Sequence, residues 1–251
     1  PPLSWRNSPR AAPHASVALA DHNMTEAAPK PASRPPIEVA DDFGFDLSHF
    51  SIPEHYRPDL ANVMLPHGLI SDRAQRMAED IYSDYDFANG ARLHMLCVLK
   101  GGHEFFSDLI MHLKKLLATG CKHVPIGFDF IRVKSYSNME SSGKPKIEAT
   151  GTDLSALKGK HVLVVEDIID TGTTMSMLVP HLSTFGAQSV RVATLLQKRT
   201  PKSIGFKGDY IGFSIPEKFV VGYCLDYNEI FRDMDHICVM SEAGIKAHAE
   251  A

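Results

Sequence analysis

The sequence predicts an α/β domain built on a mostly parallel, twisted sheet flanked by helices. Three observations carry this. Short apolar runs with strand character alternate with amphipathic helical segments from Asp41 onward, the pattern of layered α/β folds. The runs are nearly all apolar, as strands covered on both faces require. The polar residues of note fall at the ends of these runs: Lys100 after one, Glu166 after another, Lys198 after a third and Asp226 after a fourth. Ligands of open parallel sheets sit at the carboxyl ends of strands.

The elements follow in order. Apolar residues at Ala74, Met77, Ile81 and Tyr85 give Asp72 to Phe87 a helical period, with Ser71 as the expected N-cap. His94 to Leu99 reads as a strand ending in Lys100-Gly101-Gly102, and Phe105 to Leu117 as a helix. Ile126, Phe128 and Phe130 alternate, so Pro125 to Val133 is a strand. Positions 135 to 160 are polar and interrupted by Gly143, Pro145 and Gly151, which predicts one long connection. Strands are expected again at His161–Val165, Val190–Leu196, Phe219–Leu225 and His236–Met240, with a helix over Thr173–Phe185.

Residues 1–36 differ from the rest. Proline, alanine and serine dominate and no apolar period appears, so this stretch is expected to be a disordered tail preceding one domain at 37–251. The chain begins with Pro1, as expected of a fragment or a translated upstream region, and its first 20 residues hold arginine and serine but no acid. That composition is shared with transit peptides, yet a clear amphipathic arginine face is missing.

Bulk properties exclude several function classes. A net charge of −4 provides no general attraction to nucleic acid or anionic membranes. No apolar run approaches the roughly 20 residues that span a bilayer. Cys97, Cys121, Cys224 and Cys238 form no metal-like spacing, and the histidines are scattered. Free, buried thiols are expected, and with them a reducing, cytoplasmic setting.

The densest chemistry lies in Glu166-Asp167-Ile168-Ile169-Asp170-Thr171-Gly172-Thr173-Thr174. A buried strand delivers two adjacent acids, a third follows, and a tight small-residue turn opens a helix. Backbone N–H groups, hydroxyls and the positive helix end suit a phosphate, while the acids suit sugar hydroxyls and a magnesium ion. From the residues alone this is a phosphate–sugar cradle.

Together with Leu99-Lys100-Gly101-Gly102, Val133-Lys134-Ser135-Tyr136, Lys198-Arg199-Thr200-Pro201, Lys218-Phe219-Val220-Val221-Gly222-Tyr223, Leu225-Asp226-Tyr227-Asn228-Glu229 and Phe231-Arg232-Asp233, that segment resembles the purine phosphoribosyltransferases, specifically the hypoxanthine-guanine type. The resemblance runs from about Asp41 to the C-terminus. It implies the type I phosphoribosyltransferase fold with a small hood over the site. It also implies transfer of a 5-phosphoribosyl group from phosphoribosyl pyrophosphate to N9 of hypoxanthine or guanine, giving IMP or GMP.

Carried over position by position, the resemblance makes Asp170 the general acid/base at purine N7. It gives Glu166 and Asp167 the ribose hydroxyls and gives Thr171, Gly172, Thr173 and Thr174 the 5′-phosphate, with Ile168 and Ile169 between them. Lys100, Gly101 and Arg232 hold pyrophosphate. Lys198, Lys218, Phe219, Val220 and Asp226 surround the purine. Lys198 donates to O6, which adenine lacks, so 6-oxopurines are favoured over adenine or orotate. Asp226, Glu166 and Asp167 are the implied Mg2+ ligands. Ser135 and Tyr136 open a lid. A homodimer or homotetramer is implied.

Thr173 stands where members of that family often carry lysine, which predicts a weaker phosphate grip. His103-Glu104 replaces a common aromatic–lysine pair, and Lys202 a common arginine. The competing reading is a catalytically weak paralogue that binds phosphoribosyl pyrophosphate or nucleotide as a regulator. The presence of Asp170 speaks for the enzyme.

Overall fold

The structure is a computed structural model that describes residues 34–120, 126–134, 146–149 and 153–249. Ser135, Tyr136 and residues 1–33 lie outside the described residues, so the expected lid and most of the expected tail are not addressed.

Among the described residues, ten strands form two sheets. The strands are β1 (Ile37–Glu38), β2 (Leu60–Leu65), β3 (Leu93–Leu99), β4 (Gly127–Lys134), β5 (Lys146–Ala149), β6 (His161–Ile169), β7 (Ser189–Lys198), β8 (Tyr210–Ile215), β9 (Val220–Val221) and β10 (Ile237–Met240). The larger sheet has the order β1-β8-β7-β6-β3-β4-β5. Every pairing in it is parallel except β4 with β5. The smaller sheet, β2-β10-β9, is antiparallel.

Four helices accompany them: α1 (His67–Asp84), α2 (His103–Gly120), α3 (Thr173–Ser183) and α4 (Glu242–His248). Strand side chains alternate between the faces, and two cores result. Met95, Cys97, Leu163, Val165, Ala193 and Leu195 point to the side where α1 and α2 bury Ile70, Ala74, Met77, Ile81, Phe105, Leu109 and Leu113. Leu96, Val98, Val162, Val164 and Val192 point to the other side, against Met175, Leu178 and Leu182 of α3. Each fully buried aliphatic side chain contributes roughly 1.5–3 kcal/mol of apolar transfer free energy, which explains why β3 and β6 carry hardly a polar residue before their last positions.

The order of strands has one reversal that positions the site. From β3 the chain moves outward to β4 on one side, while β6, β7 and β8 build outward on the other. Between β3 and β6 the crossovers diverge, with α2 on one face and α3 on the opposite face. A crevice opens at such a switch point. The smaller sheet has its own core of Ile52, Leu60, Val63, Val221, Phe231, Met234, Cys238 and Met240.

Several boundaries differ from expectation. The first helix begins at His67 after Pro66, so Ser71 lies inside it and is not its cap; the apolar period begins only at Ile70, and the first turn therefore carries no sequence signal. Glu166 and Asp167 belong to β6 itself, because pairing with β7 continues to Ile169↔Gln197. The polar stretch after β4 is not wholly loop: β5 and a short 3-10 turn at Leu154–Leu157 interrupt it. Val220–Val221 and Ile237–Met240 join the smaller sheet, not the parallel one. Residues 34–36, expected in the tail, are attached: Arg34 bonds both carboxylate oxygens of Asp84 at 3.0 Å and reaches Asp80 at 3.2 Å.

Candidate active site

A cleft of about 250 Å³ opens where β3 and β6 end. Its lining includes Lys100, Gly101, Glu166, Asp167, Ile168, Ile169, Asp170, Thr171, Gly172 and Thr174, with Val98, Leu99, Val133 and Met175 as apolar wall. Residues far apart in sequence, the loop after β3 and the end of β6, thus face one space.

The loop after β3 can approach so closely because Gly101 has no side chain. A Cβ there would collide with the Asp167 carboxylate. The Leu99–Lys100 peptide is cis. At the other wall Gly172 takes φ 87°, in the left-handed region, and a Cβ on it would stand 2.7 Å from the Phe206 Cβ. Glycine is the residue that satisfies both demands. This turn leads directly into α3 at Thr173, with Gly172 at the N-cap position. The Thr173 N–H leans on the Thr171 hydroxyl at 3.4 Å, and the N–H groups that follow it are left for a ligand. The Thr171 and Thr173 hydroxyls hydrogen-bond at 3.0 Å, so Thr173 presents a hydroxyl where a lysine would have brought charge.

Glu166 is buried, 9% exposed, and its Oε2 has no hydrogen-bond partner. Burial first, and then the neighbouring Asp167 carboxyl, push its pKa well above the usual glutamate range. Asp167 accepts from the Ile168 N–H at 2.9 Å. Among the described residues no three His, Cys, Asp or Glu side chains converge as a preformed metal cage. Mg2+ takes one or two carboxylates and completes its shell with phosphate oxygens and water. The orphaned Glu166 oxygen is a donor atom of the right kind.

Asp170 follows β6, and Lys198 ends the adjacent β7. Their register brings the Lys198 Nζ to 2.9 Å from Asp170 Oδ2. Lys198 is 13% exposed and Asp170 is 52% exposed, so the lysine is braced by protein while the acid faces the opening.

The remaining cations and acids come from the turns after β9. Gly222, Tyr223, Cys224, Asn228, Glu229 and Phe231 all have positive φ, a run of tight reversals that folds Asp226 and Arg232 together at 2.8 Å. Arg232 Nη1 donates to the Cys224 carbonyl at 2.7 Å, and the Cys224 thiol reaches the Lys100 carbonyl at 3.4 Å. Tyr223 fastens this segment to α2 by donating to Asp108 at 2.6 Å. Lys100 and Arg232 therefore meet, through a shared partner, Glu229. Glu229 carried no role from sequence; only the turn conformation reveals it.

Phe219 is 39% exposed and packs against Tyr227 with ring centroids 4.8 Å apart. It is not the core residue that its strand-like neighbourhood suggests. Val220 pairs with Val239 in the smaller sheet, and the Lys218 N–H closes a turn on the Pro216 carbonyl at 2.7 Å. These three residues sit beside the turn carrying Asp226.

Comparison with known proteins agrees with this arrangement. Residues 64–228 match the model of the phosphoribosyl transferase domain. The chain is 51% identical over 214 residues to the hypoxanthine-guanine phosphoribosyltransferase of Bos taurus, covering 85% of this chain and 96% of the relative. It is likewise 51% identical over 211 residues to that of Homo sapiens, covering 84% and 95%. The crystal structure of the Schistosoma mansoni enzyme in complex with IMP superimposes with a TM-score of 0.71 at 37% identity, covering 85% of this chain and 99% of that one. With the phosphoribosyl transferase domain matched and about half of its residues identical to the Bos taurus and Homo sapiens relatives over most of its length, this chain belongs to the hypoxanthine-guanine phosphoribosyltransferase family.

Proposed function

We infer that the protein transfers the 5-phosphoribosyl group of phosphoribosyl pyrophosphate to N9 of hypoxanthine or guanine, releasing pyrophosphate and forming IMP or GMP in purine salvage. The observation that carries this reading is the Lys198–Asp170 pair at the mouth of the cleft. Purine O6 and N7 lie on one edge of the base. A 6-oxopurine offers an acceptor at O6, which suits the ammonium, and a proton at N7, which suits the carboxylate. Adenine presents an amino group at the same place and would leave the ammonium unpaired.

The chemistry follows from charge. As the bond from C1 to pyrophosphate breaks, the ribose becomes cation-like and the leaving group gains charge. Lys100 and Arg232 stabilise the departing pyrophosphate, with the Arg232 guanidinium matched to phosphate oxygens. The N-terminal N–H groups of α3 and the Thr171–Thr174 turn hold the 5′-phosphate. Glu166 and Asp167 hold the ribose hydroxyls. Asp170 takes the N7 proton as N9 attacks, and Phe219 stacks on the base. Mg2+ would be held by Asp226 on the pyrophosphate side, or by Glu166 and Asp167 on the ribose side, and would neutralise charge on the diphosphate.

No helix among the described residues is long and apolar enough to cross a membrane. Free Cys97, Cys224 and Cys238 support a reducing, cytoplasmic location. The transferase domain runs from the Arg34 anchor to the C-terminus, and self-association as a dimer or tetramer is supported by the exposed Phe128 and Met111 on the β4 and α2 surface. Assays with phosphoribosyl pyrophosphate, magnesium and a panel of hypoxanthine, guanine, xanthine, adenine and orotate test the reaction. Turnover of hypoxanthine or guanine is expected. Turnover of adenine or orotate alone would contradict the base assignment, and binding of phosphoribosyl pyrophosphate without turnover of any base would point to a regulator.

A further inference from the structure

Lys100 and Arg232 stand far apart in sequence, yet one carboxylate oxygen serves both. Glu229 Oε2 lies 2.8 Å from Lys100 Nζ and 3.2 Å from Arg232 Nη2, with Arg232 Nε at 3.3 Å. The backbone is shaped to put it there. Tyr227 and Ile230 exchange hydrogen bonds of 3.2 and 3.1 Å across a tight turn, Glu229 itself takes φ 66°, and its N–H donates to Asp226 Oδ2 at 2.9 Å. A left-handed φ is uncommon for a residue bearing a Cβ, so the placement of this side chain is imposed by the turn. The two cations that the reaction needs for pyrophosphate are therefore already occupied by an anion of the protein.

We propose that Glu229 is an internal competitor for the pyrophosphate subsite, its carboxylate bridging Lys100 and Arg232 in the empty enzyme and giving way to the diphosphate of the substrate or to the pyrophosphate product. This rests on the phosphoribosyl transfer reading. A single carboxylate carries less charge than a diphosphate, so the diphosphate prevails. The competition lowers the affinity for every ligand of that subsite alike. After transfer, the returning carboxylate recaptures the cations and assists pyrophosphate release. Glu229 is 62% exposed, so its hold is modest and screened by salt.

Calorimetric titration of wild type and Glu229→Gln with magnesium pyrophosphate, and separately with GMP, tests this. Removing the competing charge should tighten pyrophosphate about threefold to tenfold. GMP, which has no group in that subsite, should bind as in wild type. The difference should shrink as salt is raised. Glu229→Ala, with melting temperature checked, should tighten pyrophosphate in the same sense. Unchanged or weaker pyrophosphate binding in both variants would overturn the proposal and make Glu229 a support for the cations. Wild type that binds neither pyrophosphate nor phosphoribosyl pyrophosphate would instead overturn the underlying reaction.

Discussion

Lys198 and Asp170 meet at 2.9 Å because they end adjacent parallel strands whose register is fixed to the last residue, Ile169 opposite Gln197. In the proposed reaction the donor to the 6-oxo group and the acid at the neighbouring proton would thereby be coupled as one unit.

Lys198→Gln is expected to show this coupling. It removes a charge-assisted hydrogen bond worth about 1.5–3 kcal/mol, so kcat/KM for hypoxanthine should fall roughly 10- to 100-fold. The KM for phosphoribosyl pyrophosphate should change little. Steady-state kinetics with each substrate varied in turn make the measurement, and an equal loss for both substrates would mean the site had collapsed.

Gly101→Ala should be severe although it adds one methyl group. The new Cβ has no room beside the Asp167 carboxylate, and both the pyrophosphate loop and the acid must shift. A misplacement of about 1 Å can cost on the order of 100-fold in rate. Turnover should fall by at least that much with the melting temperature lowered by only a few degrees, as read by kinetics and thermal denaturation.

The main-sheet elements were legible in the sequence because buried parallel strands announce themselves as apolar runs. So was the 166–174 segment, where strand, acids, glycine turn and helix start follow without a break. Less visible were features made by tertiary contact. β9 and β10 are as apolar as main-sheet strands, and only the antiparallel pairing of β10 with β2 and of β9 with β10 assigns them to the second sheet. Ser71 looked like a cap because the first turn of α1, His67 to Ile70, precedes the period seen at Ala74, Met77, Ile81 and Tyr85. Glu229 is a common polar residue in a polar stretch, and its contact with Lys100 depends on left-handed residues that sequence does not reveal. Glu166 was expected at the end of a strand, yet the strand continues past it and buries it.

Acid should destabilise the fold through two histidines. Burial, and then Lys160 for His94 and Arg191 for His161, lowers both pKa values below the ordinary 6.5. The folded state then binds fewer protons than the unfolded chain. Stability is present above pH 6.5 and is lost as pH falls below it. The melting temperature should drop between pH 7 and pH 5, each 1 kcal/mol costing roughly 2–4 °C. His161→Gln loses the 2.8 Å contact to Ser189, worth about 1 kcal/mol, yet its melting temperature should depend less steeply on pH than that of wild type.

The central claim is that Asp170 handles the purine proton, and Asp170→Asn tests it most directly. The amide keeps the size of the carboxylate and removes its basicity. IMP formation from hypoxanthine and phosphoribosyl pyrophosphate with magnesium should fall about 100-fold or more, while IMP binding, measured by calorimetry, stays within a fewfold of wild type. Turnover of the variant equal to wild type, with the same pH profile, would contradict the account.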